Sequence, residues 1–182
     1  ERLPGIRILC NRWGLGFGLY EKCLPFLHAA WLRRCHVIKT NQTNGALAAL
    51  RASRLWRKPL VARCGYMWSE FRAREEGDDS QAAKSALAYE TRIFDAAQQI
   101  IVTTSAMADD IAKRIKEGSA KTAIIPNYVD TELMRPLPAG RRDVDLVFVG
   151  RMALQKNIEV LLDVMDSLGL TGILIGDGPL RE

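Results

Sequence analysis

A chain of 182 residues, 48% hydrophobic and 26% charged, can bury one ordinary core, or one core and part of a second. Its longest apolar run, about Cys23 to Leu32, is broken by Pro25 and His28 and falls far short of the roughly 20 residues that cross a bilayer; four scattered cysteines and two histidines, His28 and His36, argue against zinc. The net charge of +5 is unevenly placed, with 14 Lys or Arg against 3 acids in residues 1–74 and 12 against 18 in residues 75–182, so the basic half suits phosphate, lipid head groups or nucleic acid, or is a solvated face without a partner.

Short apolar runs alternate with amphipathic stretches, the pattern of strand and crossover helix in a parallel sheet. Strands are predicted first at Ile6–Cys10 and His36–Lys39. A helix then follows at Ala46–Trp56 and a strand at Leu60–Arg63. Ser69–Ser80 is highly charged, contains Gly77, Asp78 and Asp79, and reads as a mobile loop. Gln81–Ala97 is a longer helix leading to the strand Ile100–Thr103. The next helix, Ala106–Lys116, has Ser105 at its N-cap, Asp109 and Asp110 early, and Lys113, Arg114 and Lys116 late, as its dipole favours. After the strand Thr122–Ile125, the stretch Pro126–Arg142 carries three prolines and a glycine and marks a domain boundary, within which Asp130 can cap a short Thr131–Met134 turn. Two strands, Leu146–Val149 and Gly172–Ile175, flank a helix at Asn157–Leu168 whose stripe is Ile158, Leu161, Leu162, Met165 and Leu168. No internal repeat or low-complexity tract is visible.

The chemistry starts at Gly150. In a doubly wound sheet, ligands bind beyond the carboxyl ends of the strands, where the following helix presents N–H groups and a positive dipole end. Gly150 lets the backbone turn and approach a ligand; Arg151 offers a planar fork for phosphate oxygens, and Lys156 sits beside a helix that Asn157 can cap. Gly176 and Gly178 flank Asp177 after the next strand and allow another tight loop. Glu90 lies in the middle of the apolar stripe Ala83, Leu87, Phe94 and Ala97, which requires either a hydrogen-bonded or ion-paired burial or a part in orienting the cleft. Tryptophans interleave with cations at Arg12 and Trp13, at Trp31, Arg33 and Arg34, and at Arg54, Trp56, Arg57 and Lys58, a combination suited to an anionic membrane surface but equally to core tryptophans beside solvated arginines. No nucleic-acid motif is present, and neither Gly14, Gly16 and Gly18 nor Gly150 supplies the G-x-G-x-x-G of a Rossmann-type oxidoreductase.

Four segments together carry a family resemblance: Ile101–Ser105 (I-V-T-T-S), Ile124–Asp130 (I-I-P-N-Y-V-D) followed by Pro136, Val147–Arg151 (V-F-V-G-R) with Lys156 and Asn157, and Leu174–Arg181 (L-I-G-D-G-P-L-R). In order and spacing the chain resembles the family 4 glycosyltransferases, the retaining group built from two Rossmann-like domains and known as the GT-B class. The likeness is dense from about Ala88 to Glu182; earlier, Val37–Asn41 and Pro59–Tyr66 look like the last strands of a first domain.

The resemblance implies an α/β fragment of a longer chain with both GT-B domains incomplete: residues 1–126 as the second half of the acceptor-side domain, 127–143 as the interdomain crossover, and 144–182 as the start of the nucleotide-sugar domain. The implied reaction moves a sugar, of hexosyltransferase type, from a UDP- or GDP-linked donor to an alcohol on a glycan or lipid-linked acceptor with retention, in polysaccharide or glycolipid synthesis. Arg151 and Lys156, with Gly150, correspond to the donor-diphosphate ligands. Asn157, Gly176, Gly178, Arg63, Cys64, Gly65 and Ser105 are the further cleft candidates. No cofactor or metal is expected, because the cation pair can do a metal's electrostatic work. The family's catalytic glutamates would lie beyond Glu182, so this segment alone should be inactive, and a non-catalytic sugar-nucleotide-binding homologue or scaffold is the alternative. A cytoplasmic location, peripheral to the inner face of the membrane through residues 1–74, fits the same picture. The chain departs from the family at Cys64, where a histidine before glycine is usual, and at Tyr128, where glycine is common.

Overall fold

The computed structural model describes residues 5–136 and 143–181. It divides into two compact units, Glu1–Tyr128 and Val129–Glu182, each built on its own parallel sheet. Residues 137–142 of the expected crossover lie outside the described residues.

The first unit opens with α1 (Phe17–Leu27) and α2 (Ala29–Leu32), then alternates β1 (Ile38–Lys39), α3 (Leu47–Trp56), β2 (Leu60–Cys64), α4 (Trp68–Glu76), α5 (Gln81–Ala96), β3 (Gln99–Val102), α6 (Ser105–Arg114), α7 (Gly118–Lys121) and β4 (Thr122–Ile124). The strands lie in sequential order β1-β2-β3-β4, with Ile38 beside Leu60, Val61 beside Gln99 and Ile100 beside Thr122. Their alternation decides the core: Leu60, Ala62, Cys64, Ile100 and Val102 are buried against Leu50 of α3, Ile93 and Phe94 of α5, and Ile111 of α6. Every strand is joined to the next through helix, so all four carboxyl ends share one edge of the sheet.

Three expectations are corrected in this unit. Ile6–Cys10 is not a strand; it has no ladder partner, and Arg7 instead lays its guanidinium 3.9 Å over the Trp31 ring. Ser69–Ser80 is not a loop, since α4 occupies most of it. Its charges pair along its own surface, Arg72 with Glu75 and Glu76 and Arg74 with Glu70, while Gly77 ends the helix at φ 94°. Ser105 is the first residue of α6 rather than its cap: the Thr104 hydroxyl accepts the Met107 N–H at 3.3 Å. The apolar run interrupted by Pro25 folds as two helices, α1 and α2, meeting at His28, whose Nε2 lies 2.8 Å from the Tyr20 hydroxyl.

In the second unit, β5 (Leu146–Val149) and β6 (Gly172–Ile175) pair in parallel with Leu146 beside Gly172, connected by a 3-10 turn (Leu154–Lys156) and α8 (Ile158–Ser167). Ile158 and Met165 are the buried residues of α8, and Met165 packs against Gly172. At the amino ends of the strands, Asp145 Oδ2 accepts both the Thr171 N–H (2.8 Å) and the Thr171 hydroxyl (2.7 Å), which pins the two strands at their start. Those bonds hold the Asp145 carboxyl below its ordinary range, the backbone N–H first and the hydroxyl second.

Candidate functional site

The predicted residues fall at the carboxyl edges of the two sheets. In the first unit, the edge is built from the ends of β1, β2 and β3. Arg63 donates through Nη2 to Asn127 Oδ1 at 3.0 Å, and through Nη1 to the carbonyl and Oδ1 of Asn41, both at 3.4 Å. Thr40 Oγ1 accepts the Arg63 N–H at 3.1 Å, and Gln42 Oε1 accepts the Gly65 N–H at 2.9 Å. The Thr103 hydroxyl donates to the Gly65 carbonyl at 3.3 Å. Arg63 and Gly65 are thus held on a polar rim with Asn41, Gln42, Thr103 and Asn127. Ser105 is exposed at the start of α6, and Tyr66 is exposed beside Gly65.

Cys64 does not reach that rim. The period of two along β2 turns it inward, where it is fully buried. Burial, and then the negative charge of Glu90, push its thiol up to about 12, so it is a neutral core group rather than a nucleophile or a sugar contact.

Beneath the rim lies the Glu90 carboxylate, 0% exposed. Its Oε1 accepts the Trp68 N–H (2.6 Å) and the Thr43 hydroxyl (3.1 Å); its Oε2 accepts the Ser69 hydroxyl (2.6 Å) and Arg114 Nη1 (3.0 Å). Glu90 is therefore a satisfied ion pair, and it joins the loop after β1, the start of α4, α5 and α6. Arg114 also places Nη2 2.6 Å from Asp110 Oδ2, a charge contact without hydrogen-bond alignment. Tyr89, the residue before Glu90, accepts the Leu47 N–H at 3.0 Å and so caps α3, whose own N-cap residue Ala46 has no side chain able to do it.

In the second unit, the carboxyl ends of β5 and β6 lead into two turns that brace each other. The Gly150 N–H bonds the Ile175 carbonyl (2.9 Å), the Met152 N–H bonds the Asp177 carbonyl (2.9 Å), and the Leu180 N–H returns to the Met152 carbonyl (3.1 Å). This approach leaves no room for side chains: a Cβ on Gly176 would strike the Gly150 carbonyl, and one on Gly178 the Met152 carbonyl. The G-D-G sequence is thus the support of the Gly150 turn. Arg151 and Lys156 are both exposed on that turn, and neither forms an ion pair with a described residue.

Asn157 occupies the N-cap position of α8 but makes no side-chain cap bond, because its backbone is left-handed at φ 52°, ψ 45°. The expected side-chain capping is corrected on that geometry. Asn tolerates this region better than most residues, and the consequence is a helix start whose N–H groups are not covered by their own cap. Among the described residues, no group of three or more His, Cys, Asp or Glu is placed to hold a metal ion, and no helix is long and apolar enough to cross a membrane.

Residues 4–133 match the sequence profile of Glycosyltransferase Family 4, a span that covers the first unit's edge but not the Gly150 turn. Among solved structures, HepE from Anabaena in complex with UDP and glucose superposes at a TM-score of 0.66 over 90% of this chain and 46% of its own, with 18% identity. Sucrose-phosphate synthase from Thermosynechococcus elongatus gives 0.64 over 90% and 42%, with 20% identity. HepE with UDP-glucose gives 0.59 over 90% and 54%, with 15% identity. The chain thus spans about half the length of these structures, and at such identities the likeness is one of fold. A comparison with curated protein sequences finds no significant match.

Proposed function

The chain belongs to glycosyltransferase family 4, and from that premise we propose that the Gly150–Asn157 turn holds the diphosphate of a nucleotide-sugar donor in a retaining glycosyl transfer. The observation that carries the reading is the conjunction on one braced turn of two exposed cations, Arg151 and Lys156, unpaired among the described residues, with a helix start that Asn157 leaves open. Expelling a nucleoside diphosphate develops negative charge on its oxygens, and cations fixed beforehand stabilise that charge more than they stabilise the bound ground state. The Arg151 fork suits two oxygens at once, Lys156 acts as a point charge, and the N–H groups of α8 add a third contribution.

The donor is a uridine or guanosine diphosphate sugar; the UDP and UDP-glucose bound by HepE favour the uridine form. The acceptor is an alcohol of a glycan or glycolipid, facing the polar rim of Asn41, Gln42, Arg63 and Asn127. Four free thiols, one of them the exposed Cys10, suit a reducing cytoplasm. Calorimetric titration of the full-length protein with UDP and GDP tests the assignment. One nucleotide should bind, and Arg151→Ala with Lys156→Ala should weaken it by about a hundredfold or more, at about 1.5–3 kcal/mol for each charge-assisted contact. Equal binding by the double variant overturns the role given to these cations.

A further inference from the structure

We propose that the outer face of α1 and α3 is a docking surface for a membrane rich in anionic lipid. The inference stands apart from the transfer reaction and rests on the placement of charge and apolar surface on two packed helices. Between Phe17 and Lys58 the sequence carries eight Lys or Arg and a single acid, Glu21. That acid lies 4.0 Å from Arg51, so even it does not offset the remaining cations.

The two helices run side by side, tied by the Trp56 Nε1–H donating to the Pro25 carbonyl at 3.0 Å. They bury Pro25, Ala48, Leu50 and Ala52 and turn the opposite stripes outward. On α1 the spacing of Leu19, Lys22 and Phe26 makes one such stripe, and on α3 Arg51, Arg54 and Leu55 make the other. The stripes meet in a shallow groove lined by Lys22, Pro25, Phe26, Arg51, Arg54 and Leu55. Phe26 is 65% exposed and Leu55 42%. Arg57 and Lys58 extend the cations beyond the end of α3, and Arg33 adds another while stacking over Trp56 at 5.4 Å. Trp56 is engaged by Pro25 and Arg33, and Trp31, which carries the Arg7 guanidinium over its ring, does not line this groove. Phe26 and Leu55 are therefore the side chains that would enter the interface.

A protein partner would need a complementary acidic surface of definite shape. A lipid surface needs only what is seen here, an apolar ridge a few residues long inside a field of cations that reach lipid phosphates. The charge pattern selects phosphatidylglycerol- or phosphatidylserine-like head groups over zwitterionic ones, since each cation near such a surface contributes about fivefold to partitioning.

Flotation of the full-length protein tests the proposal, using vesicles of phosphatidylcholine alone and vesicles with about one-third phosphatidylglycerol. Binding should appear only with the anionic lipid and vanish at high salt. Arg54→Glu with Arg57→Glu should lower it by at least about tenfold, and Phe26→Ser with Leu55→Ser should lower it with both charges intact. Lys113→Glu, an exposed charge reversal on α6, should leave binding unchanged, which separates this face from net charge. The four substituted positions on this face are all exposed, and unchanged thermal melting checks their folding. Equal binding to both vesicle types, binding to neither, or equal loss in Lys113→Glu overturns the proposal, as does capture of the face by RNA in preference to anionic vesicles.

Discussion

Replacing Glu90 by Gln should be among the most costly near-isosteric changes in the first unit. The carboxylate is fully buried and serves four donors, from Thr43, Trp68, Ser69 and Arg114. An amide keeps one acceptor oxygen and turns an NH2 towards donors on the other side. If the oxygen stays with the Trp68 N–H and Thr43, the NH2 faces Ser69, which can rotate to accept, and Arg114, which cannot. Removing one member of a buried ion pair costs about 3–5 kcal/mol when the other is stranded. Arg114 is not wholly stranded, since it keeps Asp110 and is 12% exposed, so the lower end, about 3 kcal/mol, is expected. With a urea m-value of about 2 kcal/mol/M, the midpoint should fall by about 1.5 M. Urea unfolding followed by tryptophan fluorescence suits the measurement, because all four tryptophans of this sequence lie in the first unit. Arg114→Met in the Glu90→Gln background should cost less than in the parent, the mark of coupling. A loss below about 1 kcal/mol, or strict additivity of the two substitutions, would refute the clamp.

Ala at Gly176 should push the Gly150 turn away and weaken nucleotide binding by about tenfold or more, with a stability loss of about 2 kcal/mol; calorimetry of the full-length variant checks both, and unaltered affinity would dismiss the brace. Cys64 should resist a disulfide reagent in the native state while the exposed Cys10 reacts, and unfolding by urea should release it. Its raised pKa also sets an alkaline limit: the unfolded thiol ionises near 9.0 and the folded one at about 12, so stability present below pH 9.0 should fall as pH rises through that window, and Cys64→Ala should remove the slope. Asp145 has the opposite sign. Its depressed folded pKa makes its contribution present above the ordinary carboxylate range and lost as pH falls through the folded value, so Asp145→Asn should flatten the acid limb of the stability curve.

Most of the strands were legible because strands of a parallel sheet carry their apolar residues in short uninterrupted runs, and β5 and β6 match their predicted bounds. What sequence pattern misses is where polar groups find partners. α4 buries only Ser69 and pairs its charges along its own surface, so it reads as loop until the i,i+4 geometry is seen. Tyr89 capping α3 across 42 residues of sequence has no local signal at all. Glu90 did announce itself, as a charge in an apolar stripe, although its four donors come from three other segments. The cations Arg151 and Lys156 were readable, whereas the left-handed Asn157 that opens the helix beside them was not.

The two units use opposite means to fix a carboxyl edge. In the first, a buried charge at Glu90 draws loop and helix starts together from beneath, and the rim residues Arg63, Gly65 and Asn127 are then held by ordinary hydrogen bonds. In the second no described residue contributes a buried charge; backbone meets backbone, and two glycines supply the room. That difference follows from what each edge is proposed to carry. An acceptor rim can be set by side chains whose donors and acceptors are all satisfied within the fold. A diphosphate turn has to keep its cations and its helix N–H groups unpaired until the ligand arrives, so its rigidity must come from contacts that consume neither. Carbonyls and amides of the β5 and β6 turns provide it, leaving Arg151 and Lys156 outside the network that holds them.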